Sequence, residues 1–118
     1  MADGFRVLIT DRAWPDCRIE QDILASVSAV VVEAPETDEA TLVELATGVD
    51  AIAACWAQVT PAVLAAAPKC RIVARFGIGL DNIPVDDCTA RGIPVTFVPD
   101  YCIPEVADHT IALALASL

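Results

Sequence analysis

Residues 72–83 read I-V-A-R-F-G-I-G-L-D-N-I: an apolar run that ends in arginine and enters a double-glycine turn closed by Asp81-Asn82. The spacing predicts the end of a buried strand followed by a tight reversal. Gly77 and Gly79 leave the backbone bare, so successive N–H groups can point into one concavity that no side chain blocks. Such a concavity suits a small anion, and a carboxylate is the simplest guest.

Working outward, four more short apolar runs flank this one: Phe5 to Thr10, Ala29 to Val32, Ala51 to Cys55 and Val95 to Val98. All five read as buried strands, and helix-period segments lie between them, which predicts βαβ units and a parallel sheet. With right-handed crossovers the commonest outcome is a flavodoxin-like doubly wound sheet of about five strands in the order 2-1-3-4-5. Ligands in that architecture sit at the carboxyl ends of strands. Thr10-Asp11, Cys55 to Val59, Arg75 to Asn82 and Pro99 to Cys102 should therefore share one rim.

Helix boundaries are marked as well. Arg18 to Val27 forms the first helix; Thr37, followed by Asp38 and Glu39, starts a second that stops before Gly48; Thr60-Pro61 starts a third that stops by Pro68. A short fourth lies between Pro84 and Gly92. The last begins at Pro104, and from Thr110 to Leu118 it is almost wholly apolar without a stop signal. A helix apolar all round requires cover on every side. Either a truncated chain or docking on a second copy would account for it, and self-association through this helix is the expectation.

Composition narrows the class. The 118 residues are 56% hydrophobic and 20% charged, which points to one packed domain without an internal linker. The net charge is −10, with 11 acidic and 3 basic residues up to position 50, then 6 and 4. No Lys/Arg cluster exists to release counterions from a phosphate backbone, so nucleic acid is not an expected partner. The less acidic second half, with Lys69, Arg71, Arg75 and Arg91, is where an anion would be tolerated. Five cysteines (Cys17, Cys55, Cys70, Cys88, Cys102) form no C-x-x-C pair; reduced thiols, a cytoplasmic location and no metal site are expected. No signal peptide is visible, and no apolar segment approaches the roughly 20 residues that cross a bilayer.

Together with V-P-D-Y-C-I-P-E-V-A-D-H-T at 98–110, the R-F-G-I-G-L-D-N-I string resembles the substrate-binding part of the NAD-dependent D-isomer-specific 2-hydroxyacid dehydrogenases, including their C-terminal-binding-protein-like branch. The resemblance is specific over about residues 50–118 and only pattern-level before that. It implies that backbone N–H groups of Gly77, Ile78 and Gly79 hold the carboxylate of a small 2-hydroxy or 2-oxo acid. Arg75 would assist, as in the C-terminal-binding-protein-like branch. Ile78 would also lie near the nicotinamide end of the NAD cofactor, at a position that often carries a hydroxyl in the family. Trp56 and Ala57 lie in the loop that reaches over substrate in relatives; Trp56 reads equally well as pocket wall or as packing. The family's catalytic histidine, its activating acid and a second arginine come from beyond residue 118, so no catalytic residue is expected in this chain. Residues 1–103 would form the substrate-binding domain and 104–118 the start of the interdomain helix, with the NAD-binding domain absent from this chain. A homo-oligomer through that helix, or an NAD-binding domain, would be its partner.

Other side chains carry plainer expectations. Asp81 reads as a turn-fixing residue and Asn82 stays open. The single histidine, His109, stands four residues after Glu105, where an ion pair or helix contact accounts for it, and the family's V-A-D-H histidine is not its catalytic one. Cys55 is expected to be inert. Phe97 replaces a polar residue common in relatives, and Pro84 stands where an acidic residue usually starts a helix. A signalling receiver would need an acid at Cys55 and a pair at Asp11. A flavodoxin would need a hydroxyl- and glycine-rich loop in place of 11–15. Two readings remain: part of a dehydrogenase, inactive by itself, or a non-catalytic binding or scaffold protein on the same fold.

Overall fold

A computed structural model describes residues 4–118. The elements alternate strictly: β1 (Arg6–Ile9), α1 (Arg18–Ala25), β2 (Val30–Glu33), α2 (Glu39–Ala46), β3 (Ala51–Ala54), α3 (Pro61–Ala65), β4 (Ile72–Arg75), α4 (Val85–Ala90), β5 (Val95–Thr96) and α5 (Ile103–Ala116). All strand pairs are parallel, and the five strands lie in the order β2-β1-β3-β4-β5. This is the doubly wound sheet that the apolar runs imply.

Alternation along the strands sorts the core into two layers. Leu8, Ile52, Ala54 and Val73 face α2, α3 and α4 and join Leu42, Ala46, Val63, Leu64 and Cys88 in the main cluster. Ile9 and Ala53 face the other way, with Cys17, Val31, Ala74 and Phe76. The chain steps one way from β1 to β2 and the opposite way in every later crossover, so right-handed crossovers set α1 on one face and the next three helices on the other.

The α1 face is only partly covered. A cleft of about 280 Å³ runs between α1 (Ile23, Leu24) and the sheet (Ile9, Ala53, Ala74, Phe76). The last helix, α5, packs on neither face. All 14 of its residues are exposed, with Ile111 at 59%, Leu113 at 58% and Leu115 at 65%. At 1.5 Å per residue it projects about 21 Å, which contributes to the 63 Å long axis of the molecule. Among the described residues no helix is long and apolar enough to cross a membrane.

Several details differ from the sequence reading. The N-cap of α2 is Asp38 rather than Thr37, because the Asp38 carboxylate accepts from the Thr41 N–H at 3.0 Å. Pro61 does open α3, behind a Thr60 hydroxyl that accepts from Val63 N–H. Strand β5 keeps only two residues, and β2 and β5 are sheet edges with exposed positions rather than fully buried strands. Glu105 and His109 form no ion pair among the described residues; both side chains stand in solvent.

Candidate functional site

The carboxyl ends of β1, β3 and β4 bring three of the four expected rim loops into direct contact. In this strand order the natural ligand crevice opens between β1 and β3, where the winding changes direction. Here a side chain of the protein closes it. The Asp11 carboxylate accepts from Cys55 N–H at 2.8 Å, Trp56 N–H at 2.7 Å and the Thr10 hydroxyl at 2.9 Å. These hydrogen bonds to an ionised acceptor fix the start of the 55–59 loop.

The neighbouring turn at the end of β4 is differently furnished. Phe76 N–H still donates to Ala54 across the sheet, and Gly77 accepts from Val98 N–H at 2.9 Å. The N–H groups of Gly77, Ile78 and Gly79, however, donate to no acceptor among the described residues. Beside them lies Arg75. Its Nε donates to Asn82 Oδ1 at 3.1 Å and its Nη1 to the Phe76 carbonyl at 2.9 Å, so two of its five N–H donors are engaged. No acidic side chain among the described residues pairs with it. A cationic group and a run of free N–H groups therefore share one edge, and a carboxylate can use both.

Gly77 makes this geometry possible. A Cβ there would stand 2.5 Å from Arg75 Nη1 and 3.1 Å from its Cζ. The guanidinium folds against the glycine backbone in the volume a side chain would take.

The other expected residues divide by burial. Ala57 is buried, and its carbonyl accepts from Asn82 Nδ2 at 2.9 Å. Trp56 at 65% exposure and Ile78 at 47% stand out from the rim, joined by Tyr101 at 55% from the fourth loop. Trp56 is thus not core packing. Asp81 does not fix the turn: it is exposed and makes no hydrogen bond among the described residues, whereas the buried Asn82 ties three partners. An amide both donates and accepts, which a carboxylate in that place could not do.

Asp11 is the contributor that sequence reasoning assigned to the rim without a role. The signal was present in a lone acid directly behind an apolar strand, but its partners are 44 and 45 residues away. Burial pushes the Cys55 thiol pKa up, the Asp11 charge adds to it, and Arg75 opposes it. The thiol stays protonated at neutral pH, consistent with an inert cysteine.

A cleft of about 540 Å³ lies one loop away, lined by Gln58 to Pro61 and Leu80 to Asp87. It carries Asp81, Asp86 and Asp87 and no cation, so it repels a carboxylate. Among the described residues no group of three or more His, Cys, Asp or Glu side chains could hold a metal ion. A dinucleotide does not fit the turn either. Its pyrophosphate needs a glycine turn that opens directly into a helix N-terminus, whereas Leu80 to Pro84 separate Gly79 from the six-residue α4.

A family model described as "D-isomer specific 2-hydroxyacid dehydrogenase, catalytic domain" matches residues 7–115. The D-3-phosphoglycerate dehydrogenase of Mycobacterium tuberculosis is 45% identical over 104 residues, 88% of this chain and 16% of that protein. The glyoxylate reductase of Pyrococcus furiosus is 51% identical over 51 residues, 43% of this chain and 15% of the relative. In structure, the NADPH-dependent glyoxylate/hydroxypyruvate reductase of Sinorhizobium meliloti, in complex with NADP and malonate, aligns with a TM-score of 0.77 at 31% identity. That alignment covers 98% of this chain and 34% of the other. The chain spans well under half the length of each of these proteins.

Proposed function

This chain belongs to the D-isomer specific 2-hydroxyacid dehydrogenase family, and from that we propose that it is the substrate-binding portion of an NAD-dependent oxidoreductase acting on small 2-hydroxy acids. Arg75 and the N–H groups of Gly77, Ile78 and Gly79 receive the substrate carboxylate, while Trp56, Ala57 and Ile78 bound the space beside it. The observation that supports this reading is the row of turn N–H groups left free among the described residues, beside a guanidinium that no acidic side chain among them pairs with. Malonate in the Sinorhizobium meliloti reductase is a carboxylate of the right class. Arg75 also supports a place in the C-terminal-binding-protein-like branch. Free thiols throughout, Cys17, Cys55, Cys70 and Cys88 buried, favour the cytoplasm.

Residues 1–103 are the substrate-binding domain in this reading, and residues 104–118 begin the interdomain helix. NAD is held by groups other than these, with only Ile78 facing the nicotinamide end. The 118 residues by themselves supply a binding surface but no proton donor for the reacting oxygen and no seat for the hydride carrier. The expected result with a panel of 2-hydroxy acids and NAD is no turnover above background. Malonate should still bind, with a dissociation constant on the order of 1 mM by calorimetry. Turnover that disappears in Arg75→Ala would contradict the assignment of the chemistry to residues outside this chain.

The exposed α5 favours a further element of the reading, association through that helix with a second copy or with an NAD-binding domain. Each large apolar side chain left in water forgoes roughly 1.5–3 kcal/mol of burial. Sedimentation of the intact chain at tens of micromolar should show dimer that is lost in the double variant Leu113→Lys, Leu115→Lys. A strictly monomeric intact chain would remove self-association, including the alternative of a non-catalytic scaffold.

A further inference from the structure

We propose that Asn82 is the positioning residue of the anion site, coupling the Arg75 guanidinium to the 55–59 loop so that arm and loop keep one geometry. The inference rests on the carboxylate-binding reading of the turn.

The side chain is 5% exposed and uses both of its ends. Oδ1 accepts from Arg75 Nε at 3.1 Å, while Nδ2 donates to the carbonyls of Ala57 at 2.9 Å and Cys55 at 3.4 Å. Its own carbonyl accepts from Val59 N–H at 2.9 Å. The loop is thus gripped from two sides by opposite chemistry. Asp11 takes the N–H groups of Cys55 and Trp56, and Asn82 serves the carbonyls of Cys55 and Ala57. Of these two clamps, Asn82 is the one that reaches onward to the guanidinium.

Polarity fixes the residue type. The oxygen must face the cationic Nε and the amino group must face two carbonyls. An aspartate of the same shape would set a carboxylate oxygen against both carbonyls and place its negative charge on Arg75, where it competes with the ligand. An alanine would release the arm and the loop but leave the arginine's charge available. A purely structural role shows in thermal melting, with malonate affinity kept in whatever fraction of each variant is folded. A positioning role acting through Arg75 lowers malonate affinity in the folded variants themselves, most in Asn82→Asp, where the added charge also competes with the ligand for the guanidinium.

The test is malonate titration of the wild-type chain, Asn82→Ala and Asn82→Asp, each checked for folding by thermal melting, with the Arg75 Nε–H proton followed by NMR. Affinity is expected to fall about tenfold in Asn82→Ala, the scale of one hydrogen bond to a charged group, and further in Asn82→Asp. In wild type the Nε–H proton should exchange slowly with solvent, and in Asn82→Ala at the rate of a free arginine. The wild-type exchange needs no variant to fold, so fast exchange there overturns the proposal. Equal malonate affinity in all three proteins, or Asn82→Asp closer to wild type than Asn82→Ala, overturns it while leaving the anion site intact. No malonate response in wild type overturns the anion site and the role of Asn82 with it.

Discussion

Gly77→Ala is expected to weaken malonate binding more than tenfold while leaving the fold in place. The new Cβ would lie 2.5 Å from Arg75 Nη1, a separation that real Cβ atoms do not show, and 3.1 Å from its Cζ. The backbone at Gly77 is not in the left-handed region, so alanine adds no conformational strain there. What must move is the end of a long side chain. The guanidinium swings off the turn, losing Phe76 and its place beside the free N–H groups, and the charge-assisted part of carboxylate binding goes with it. Stability should change by no more than about 1 kcal/mol. Gly79→Ala is a built-in comparison, since its Cβ would meet only Asp81 Oδ1 at 3.0 Å and leave Arg75 in place, so any loss there reports on the turn and not on the guanidinium. Calorimetry and thermal melting on the two variants read both quantities; unchanged malonate affinity in Gly77→Ala would mean that Arg75 does not serve the turn.

Ile52→Ala should be the most damaging core change. Ile52 is fully buried at the centre of β3, in register with Leu8 on one side and Val73 on the other, and it belongs to the main cluster beneath α2 and α3. Truncating an isoleucine in such a place costs about 2–5 kcal/mol, because the neighbours cannot collapse into the space left. For a domain of this size, an unfolding entropy of about 2.1 cal/mol/K per residue turns that loss into a fall in Tm of roughly 8–20 °C. A fall of under about 3 °C would show that the sheet tolerates a cavity at its centre. The same substitution at Ile111 in α5, which is 59% exposed, should leave the Tm of the monomer almost unmoved.

The fold was legible because its signals are local. Each strand is a short apolar run bounded by glycine, proline or a cap, and parallel pairing with right-handed crossovers leaves few ways to order five of them. The Thr60-Pro61 start of α3 and the outward apolar surface of α5 could be read for the same reason. The candidate site was legible only in part. Arg75, Gly77, Ile78 and Gly79 announce themselves by adjacency, and so does the rim that carries Trp56. The clamp between Asp11 and the 55–56 amides spans more than 40 residues, and nothing local marks it. The choice between Asp81 and Asn82 as the tying residue turned on which one the chain buries. That depends on where Cys55 and Ala57 present their carbonyls. The cap of α2 moved from Thr37 to Asp38 for a similar reason, since only the geometry of the turn decides which side chain reaches Thr41.

Carboxylate binding by the turn at the end of β4 is the centre of this account, and amide chemical-shift mapping of the wild-type chain during malonate titration tests it most directly. The three free N–H groups of Gly77, Ile78 and Gly79 should shift most and together, the Arg75 side-chain signal should move with the same apparent Kd, and Arg75→Ala should suppress the whole pattern. Shifts centred on the acidic cleft between Leu80 and Asp87, or a turn that does not respond at malonate concentrations well above 10 mM, would contradict it.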